Sequence, residues 1–335
     1  MTTIKDVANK TKVSKTTISR YLNGKYEYMS ESTRIRIKKA IEDLNYRPNL
    51  VASSLKKNIT KTIGIIISNI ENPFFAAFVQ KAEQVAHKMG NNVILCNTGD
   101  DPKIERKYID TLLGRQVDGI LLTTSGGNND LINNDLIKKD FPLVLVDRRV
   151  SGLKADLVAL NNEQASYLAM EHLYQNGHRR IGLLTGYSAG ISARIERINA
   201  YKKFLIEHEI DTDQSLIWSG VPNQNGGKEG TNKLLSLQNP PTALLSTLNI
   251  LTLGIIEFLN QKNIKIPNDV SIVTFDDVYW VKVVNPPLTA IKQPIEELAK
   301  ASINCLFERI NKNNKPFKEI LLPGTLIKRS STCSI

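Results

Sequence analysis

The chain has 335 residues, 41% of them hydrophobic, which excludes a single small domain and a chain too polar to bury a core. Of its formal charge of +11, residues 1–60 carry +8, from 13 Lys/Arg and 5 Asp/Glu, so the remainder is nearly neutral. This uneven distribution is typical of a basic phosphate-binding segment joined to a neutral body, and it argues against a Lys-rich surface spread evenly along the chain.

The cysteines, Cys96, Cys305 and Cys333, are widely spaced and indicate neither a disulfide framework nor a metal site. We therefore expect a cytoplasmic protein without metal or cofactor. We also expect no signal peptide and no membrane span, because no apolar run approaches roughly 20 residues.

The first predicted elements are two short helices in tight succession. Thr3 is placed to cap the first helix, and Ser14 is placed to cap a second helix over Lys15–Asn23. Apolar residues recur on one side of each helix, namely Ile4, Val7 and Ala8 in the first, and Ile18 and Leu22 in the second. This spacing is typical of a helix-turn-helix, whose second helix enters the major groove of DNA.

A third helix is predicted after Ser30, with a core face of Ile37, Ala40, Ile41 and Leu44. The segments TIKDVA, VSKTTISRYLNG, SESTR, AIEDLNYRPN and VASSL follow one another in this order at the N-terminus. Together they resemble the DNA-binding head and hinge of the LacI/GalR family of bacterial transcription regulators.

The polar side of the second helix is the expected reading surface. Lys15, Thr16 and Arg20 would read bases, with Lys and Arg favouring guanine. Phosphates would be held by Thr3, Ser14, Thr17, Asn23 and Ser30.

A head over residues 1–45 is followed by a predicted hinge over 46–60. Pro48 disfavours helix at the preceding residue, and a short helix from Asn49 to about Lys57 follows. Because so short a helix is unstable alone in water, we expect it to form when two subunits lie side by side on an operator. Leu55 is placed to wedge into a minor-groove step, although it could instead only pack within the linker.

From residue 61 to 335 the pattern alternates strands with helices, which predicts an α/β core of doubly wound parallel sheets. Strands are predicted at 63–67, 93–96, 119–122, 143–146, 158–160, 181–185, 216–218, 243–246 and 270–275. Helices are predicted at 74–89, 102–115, 130–139, 162–176, 193–207, 224–237, 251–261 and 295–311.

The motifs NPFF (72–75), LVDRR (145–149), NGHRRIGLLTG (176–186) and IPNDVSIVTFDD (266–277) extend the resemblance along the chain. It implies two lobes, as in periplasmic sugar-binding proteins. The first lobe would cover about 61–160 and 291–320, and the second about 161–290 and 321–335. The heptad tail that makes some relatives tetrameric does not appear, so we expect a homodimer.

The cleft between the lobes is the predicted effector site, because ligands bind beyond the carboxyl ends of strands in such sheets. Candidate residues at these positions are Asn69, Phe74, Phe75, Asp147, Arg148, Asn161, Ser192, Arg194 and Asp276. The resemblance implies that Arg194 and Asp276 hold the effector most directly. The alternative is that Asp147 and Asp276 only cap strand ends or form ion pairs between the lobes.

Two departures from the family pattern bear on the ligand. Leu248-Asn249 stands where the family usually has Asn-Asp, and Asn161 stands where Asp is frequent, so acceptors and negative charge are removed. The cations that remain are Arg148, Arg149 and Arg194. Since guanidinium groups with few competing carboxylates suit an anion, we predict a sugar acid, with a neutral sugar possible. The DRR and ISARIER segments also resemble regulators of ketogluconate metabolism.

The predicted function is ligand-responsive transcription regulation, as a repressor of carbohydrate or sugar-acid catabolic genes. Its partners would be double-stranded operator DNA, a small-molecule effector and a second subunit. Alternatives are a purine- or neutral-sugar-responsive repressor, or a catabolite-control regulator with a protein corepressor near Arg309 and Lys312. An enzyme is disfavoured because catalytic motifs do not appear, and a transport binding protein because of the basic head.

Overall fold

The computed structural model describes residues 2–46, 59–150, 152–311 and 316–335. The chain forms two compact units, Met1–Thr60 and Lys61–Ile335. The predicted hinge helix and its Leu55 lie outside the described residues.

The first unit, here named the head, contains three α-helices among its described residues: α1 (Ile4–Thr11), α2 (Lys15–Leu22) and α3 (Glu31–Asp43). A 3₁₀ turn, Tyr26–Tyr28, lies between α2 and α3. The buried core of the head consists of Val7, Ala8, Ile18, Ile37, Ala40 and Tyr46. These are the apolar positions that recur at helical spacing, so the pattern that predicts the helices also packs them together.

Local capping sets where the head helices begin. The Ser14 hydroxyl accepts a hydrogen bond from the Thr17 backbone N–H at 3.1 Å, and Ser30 accepts one from that of Thr33 at 3.3 Å. The Asp6 carboxylate accepts from the Thr3 backbone N–H at 2.7 Å. The first two bonds satisfy backbone N–H groups that a helix N-terminus leaves free. The third fixes Thr3, the residue before α1.

The second unit, here named the core, contains two six-stranded sheets. The strands of the first sheet are β1 (Thr62–Ile67), β2 (Asn92–Asn97), β3 (Gly119–Leu122), β4 (Leu143–Val146), β5 (Asp156–Leu160) and β11 (Glu319–Leu322). They pair in parallel in the order β11-β5-β4-β3-β1-β2. The helices of this lobe are α4 (Pro73–Lys88), α5 (Pro102–Gly114), the single turn α6 (Asn129–Leu131) and α11 (Ile295–Ile310).

The second sheet consists of β6 (Ile181–Gly186), β7 (Ile217–Gly220), β8 (Ala243–Ser246), β9 (Ser271–Phe275), β10 (Thr289–Lys292) and β12 (Thr325–Ile327). Its order is β12-β10-β9-β8-β6-β7, and only the pairing of β12 with β10 is antiparallel. The helices of this lobe are α7 (Asn162–Gln175), α8 (Ser192–Glu207), α9 (Gln224–Leu235) and α10 (Asn249–Gln261). The prediction of doubly wound parallel sheets is confirmed.

The chain crosses between the lobes later than predicted. Ile291 was expected in the first lobe, but it lies in β10 and pairs with Phe275 in the second sheet. Leu321 and Leu322 were expected in the second lobe, but they lie in β11 and pair with β5. The chain therefore leaves each lobe after the last paired residue of a strand, β10 in one case and β11 in the other.

The helix expected over 130–139 is irregular. After α6 the backbone widens into a π-helical segment, Ile132–Leu136, and then tightens into a 3₁₀ turn, Ile137–Lys139. Leu131, Ile132 and Leu136 of this irregular segment are all buried in the first lobe. No helix in the described part of the chain is long and apolar enough to cross a membrane.

Candidate functional site

The head exposes the polar side of α2. Lys15, Thr16 and Arg20 are exposed, while Ile18 on the opposite side is fully buried. Within the described residues, neither Lys15 nor Arg20 forms an ion pair, so no carboxylate neutralises either charge. This is the side that the sequence predicts to read bases.

The residues predicted to hold phosphates already make local hydrogen bonds. Thr17 and Ser14 share one between their hydroxyls at 3.0 Å, and the Asn23 amide donates to the Ser19 carbonyl at 2.6 Å. The Thr3 hydroxyl donates to Asp6 at 2.8 Å, and the Ser30 hydroxyl lies 2.9 Å from that of Thr33. These bonds orient the side chains at the ends of the helices, and at the N-termini, where Thr3, Ser14 and Ser30 lie, free backbone N–H groups favour anions.

In the core, a cavity of about 250 Å³ lies between the two lobes. It is here named the cleft. Seven of the nine predicted effector residues line it: Asn69, Phe74, Phe75, Asp147, Arg148, Arg194 and Asp276. This volume is below the roughly 300 Å³ at which ligand pockets usually begin, so the cleft has room only for a small ligand.

Two predicted residues lie outside the cleft. The Asn161 side chain caps α7, accepting from the Gln164 backbone N–H at 3.0 Å. The Ser192 hydroxyl accepts from the Arg149 backbone N–H at 2.8 Å and so joins the two lobes. Neither side chain lines this cavity, because Asn161 is engaged at the helix N-terminus and Ser192 in the contact between the lobes; their role in effector binding stays a prediction. Arg149 is also outside, since it pairs with Glu319 at 2.7 Å.

Asp147 and Asp276 follow β4 and β9, and both have left-handed backbone conformations, with φ of 65° and 73°. Short polar side chains tolerate this conformation best, and it turns the chain sharply at the strand end. Each carboxylate thereby enters the cleft directly after the last residue of its strand.

The Asp276 carboxylate is held by two amides. Asn249 donates to one oxygen at 2.8 Å, and Gln293 donates to the other at 2.6 Å. Asn249 also donates to Asn72 of the first lobe at 2.9 Å, so this network crosses the cleft. Asp276 is therefore an oriented acceptor, and the Gln293 side-chain oxygen beside it is buried without a partner among the described residues.

The Asp147 carboxylate is freer. It accepts no hydrogen bond from a described residue, and its nearest cation is the Arg148 Nε at 3.7 Å. Burial raises the pKa of Asp147 above its ordinary value, and the opposing effect of the neighbouring Arg148 and Arg197 is smaller. A ligand hydroxyl that donates to this carboxylate would replace the water it has lost.

Asp100 is a cleft residue that the sequence argument missed. Its carboxylate receives Arg148 Nη1 at 2.6 Å and lies 3.5 Å from Arg194 Nη2 across the cleft. Arg148 further donates to the Thr124 carbonyl at 2.9 Å and to Ser68 at 3.1 Å. Arg148 is therefore largely occupied within the protein and does not offer a free guanidinium fork.

Arg197 was also missed. It is 5% exposed and donates to Asn162 at 2.8 Å and to the Thr247 carbonyl at 2.7 Å, while its guanidinium lies 4.1 Å from the centre of the Phe275 ring. One helical turn earlier on α8, Arg194 donates to the Tyr187 carbonyl at 2.7 Å. Residues three apart on a helix lie on the same face, so the position of Arg194 could have indicated that Arg197 also faces the cleft. Burial lowers the pKa of Arg194 to about 10, so it stays charged at neutral pH.

The sequence argument that few carboxylates compete with the arginines is wrong. The charged residues that line the cleft are Glu71, Asp100, Asp147, Asp276, Arg148, Arg194 and Arg197, four acids against three cations. The aromatic wall is formed by Phe74 and Phe75, whose rings meet edge to face with centres 5.0 Å apart. Such a site combines an apolar face with several acceptors and few free donors.

Residues 3–49 match the family described as bacterial regulatory proteins, lacI family, and residues 60–330 match periplasmic binding proteins and the sugar binding domain of the LacI family. A probable HTH-type transcriptional regulator, EndR of Paenibacillus polymyxa, is 38% identical, and the match covers 96% of this chain and 94% of that protein.

Two solved structures are similar over most of their length. The lac repressor dimer bound to operator and the anti-inducer ONPF is 26% identical, with a TM-score of 0.89 and 99% of each chain covered. A LacI family transcriptional regulator from Enterococcus faecium with bound ribose is 31% identical, with a TM-score of 0.75, covering 82% of this chain and 99% of that one.

Proposed function

Because this chain belongs to the lacI family of bacterial regulatory proteins, we propose that it represses carbohydrate catabolic genes as a homodimer and that a small sugar-like effector controls its binding to operator DNA. It is a DNA-binding transcription regulator and not an enzyme. The similar structure of the lac repressor dimer bound to operator supports the dimer. A dimer would place two recognition helices on two half-sites of the operator.

One observation carries the effector proposal: buried acceptors line one small cavity together with an apolar wall. The Asp147 carboxylate accepts no hydrogen bond from a described residue, and the Gln293 oxygen is likewise unpartnered. Asp276 is fixed by amides that leave further lone pairs. A polyhydroxylated ring supplies several O–H donors and an apolar face for Phe74, so it matches this set. The relative with bound ribose supports the same ligand class.

A sugar acid is the second candidate. Arg194 Nε and Arg197 Nη2 make no hydrogen bond to a described residue, so a ligand carboxylate has two charged donors on α8. Against it stands the excess of carboxylates in the cleft, which repel an anion. The neutral sugar is therefore placed first.

The test is a thermal-shift screen of the full chain with pairs of neutral monosaccharides and their uronic or aldonic acids, together with purines and phosphorylated sugars. Stabilisation by a neutral sugar, and not by its acid, supports the first candidate. Stabilisation by the acid alone moves the proposal to the second. A purine as the sole stabilising compound overturns the sugar-like effector while leaving DNA binding intact.

A further inference from the structure

Arg20 occupies an unusual environment for an exposed cation. Its guanidinium lies 4.8 Å from the centre of the Tyr28 ring. No ion pair and no side-chain hydrogen bond involves this guanidinium among the residues that the structure describes. Tyr28 is itself 62% exposed and lies at the end of the 3₁₀ turn that follows α2. The aromatic ring is thus the partner of Arg20 within the described part of the head.

A ring and a carboxylate hold an arginine differently. A carboxylate occupies the N–H edge of the guanidinium, which is the edge that contacts N7 and O6 of guanine. An aromatic ring covers a flat face and leaves the N–H edge open. Stacking therefore restricts the rotamers of Arg20 while keeping the donors that base reading needs.

A second pair in the same turn provides the contrast. The Arg34 guanidinium lies 4.1 Å from the centre of the Tyr26 ring, but it also lies 3.6 Å from the Glu31 carboxylate. Arg34 belongs to α3, and Tyr26 packs edge to face on Tyr21 with centres 5.6 Å apart. The Arg34–Tyr26 pair is held by further contacts within the head, whereas Arg20 and Tyr28 are both exposed.

We propose that Tyr28 is a positioning residue for sequence recognition: its ring holds the Arg20 guanidinium edge-on to a base in the major groove. The inference rests on the proposed role of α2 in reading DNA. The partner is a G·C pair of the operator, since arginine recognises guanine in a bidentate manner. Tyr28 thereby adds to specificity without needing a base contact of its own.

The experiment uses the full chain and a random pool of double-stranded DNA at low salt, where phosphate contacts keep binding measurable. Selection and sequencing give the base preference at each position, and the best site is then used for affinity measurements. The variants are Tyr28→Leu, Tyr28→Phe, Arg20→Ala and the double variant Tyr28→Leu with Arg20→Ala. Tyr26→Leu is the matched control, and thermal unfolding checks that each head is folded.

We expect Tyr28→Leu to lower the affinity about two- to fivefold per half-site, which corresponds to ~0.5–1 kcal/mol for an exposed cation–π pair. It should relax the guanine preference at the position that Arg20→Ala also relaxes, and Tyr28→Phe should restore that preference. In the Arg20→Ala background, Tyr28→Leu should cost nothing further. Tyr26→Leu should leave the base preference as it is.

Two results would overturn the inference: an equal loss from Tyr28→Leu with and without Arg20, or a loss from Tyr28→Phe as large as that from Tyr28→Leu. The first means that Tyr28 acts independently of Arg20, and the second that its hydroxyl contacts DNA. If Arg20→Ala itself changes neither affinity nor preference, the proposed reading role of α2 fails instead.

Discussion

The head and the cleft use the same kinds of charged side chain in opposite ways. Arg20 of the head is exposed and makes no ion pair with a described residue. Arg148 of the cleft is 4% exposed and is held by Asp100, a backbone carbonyl and a hydroxyl. An exposed, unpaired cation adds little to folding, so a change there alters binding alone. A buried, paired charge contributes both to folding and to binding, because its removal leaves its partner inside the protein without a hydrogen bond.

The largest effect should come from a buried pair in the core. Asp156 is fully buried and receives Arg309 Nε at 2.6 Å and the Lys318 backbone N–H at 2.7 Å. Asp156→Ala should lower the free energy of unfolding of the core by about 3–5 kcal/mol, because it removes the buried carboxylate that faces the Arg309 charge and accepts from the Lys318 backbone N–H. Denaturant unfolding measures this. The control is Glu163→Ala, whose exposed partner is Lys203, with an expected loss below about 1 kcal/mol. Similar losses in the two variants would remove the distinction between buried and exposed charge.

The next effect concerns the effector. Asp276→Asn should weaken effector binding about 10- to 150-fold, because a hydrogen bond to a charged group contributes roughly 1.5–3 kcal/mol. Isothermal titration with the compound that stabilises the chain measures it. Asn161→Asp is the matched control, since Asn161 caps α7 outside the cleft and Asp caps equally well. An effect of Asn161→Asp as large as that of Asp276→Asn would return Asn161 to the effector site.

In the head, one substitution should change operator affinity while leaving the free energy of unfolding nearly unchanged. Arg20→Ala should weaken operator binding by about 1–3 kcal/mol, or roughly 5- to 150-fold. It should change the free energy of unfolding by no more than ~0.5 kcal/mol, as is usual for surface positions. Gel-shift titration and denaturant unfolding of the same preparation give both values. A clear loss of stability would show that Arg20 belongs to the packing of the head.

The smallest effect should be a dependence of stability on pH. Burial lowers the pKa of His172 and of His178 below the ordinary value of 6.5, with Lys328 lowering that of His172 further. The unfolded chain therefore takes up protons first as pH falls below about 6.5, and stability is lost toward acid pH. His172→Gln should show a smaller difference in unfolding free energy between pH 7.5 and pH 5.5. An unchanged difference would mean that other groups set this slope.

The head could be predicted almost residue by residue, because its determinants are local. Ser14 and Ser30 cap helices that begin one residue later, and Ile18 and Ile37 pack where helical spacing places them. The strands of the core were equally readable, since continuous apolar runs such as Ile63–Ile67 are buried on both faces.

The cleft was less predictable because its geometry is non-local. Strand ends point to Asp147 and Asp276, and both line the cleft. The pairing of Asp100 with Arg148 joins residues 48 positions apart, which no local pattern reveals. Asn161 and Ser192 follow the same positional rule as the true lining residues, but a helix cap and a lobe contact use their polar groups.

The most direct test of the account is the operator affinity of the full chain with and without the effector that the screen identifies. We expect the effector to change the operator affinity about 5- to 150-fold, and the operator should change the effector affinity by the same factor. A compound that binds the wild-type cleft, loses affinity in Asp276→Asn and yet leaves operator affinity unchanged would contradict it. The cleft and the head would then be independent sites on one chain.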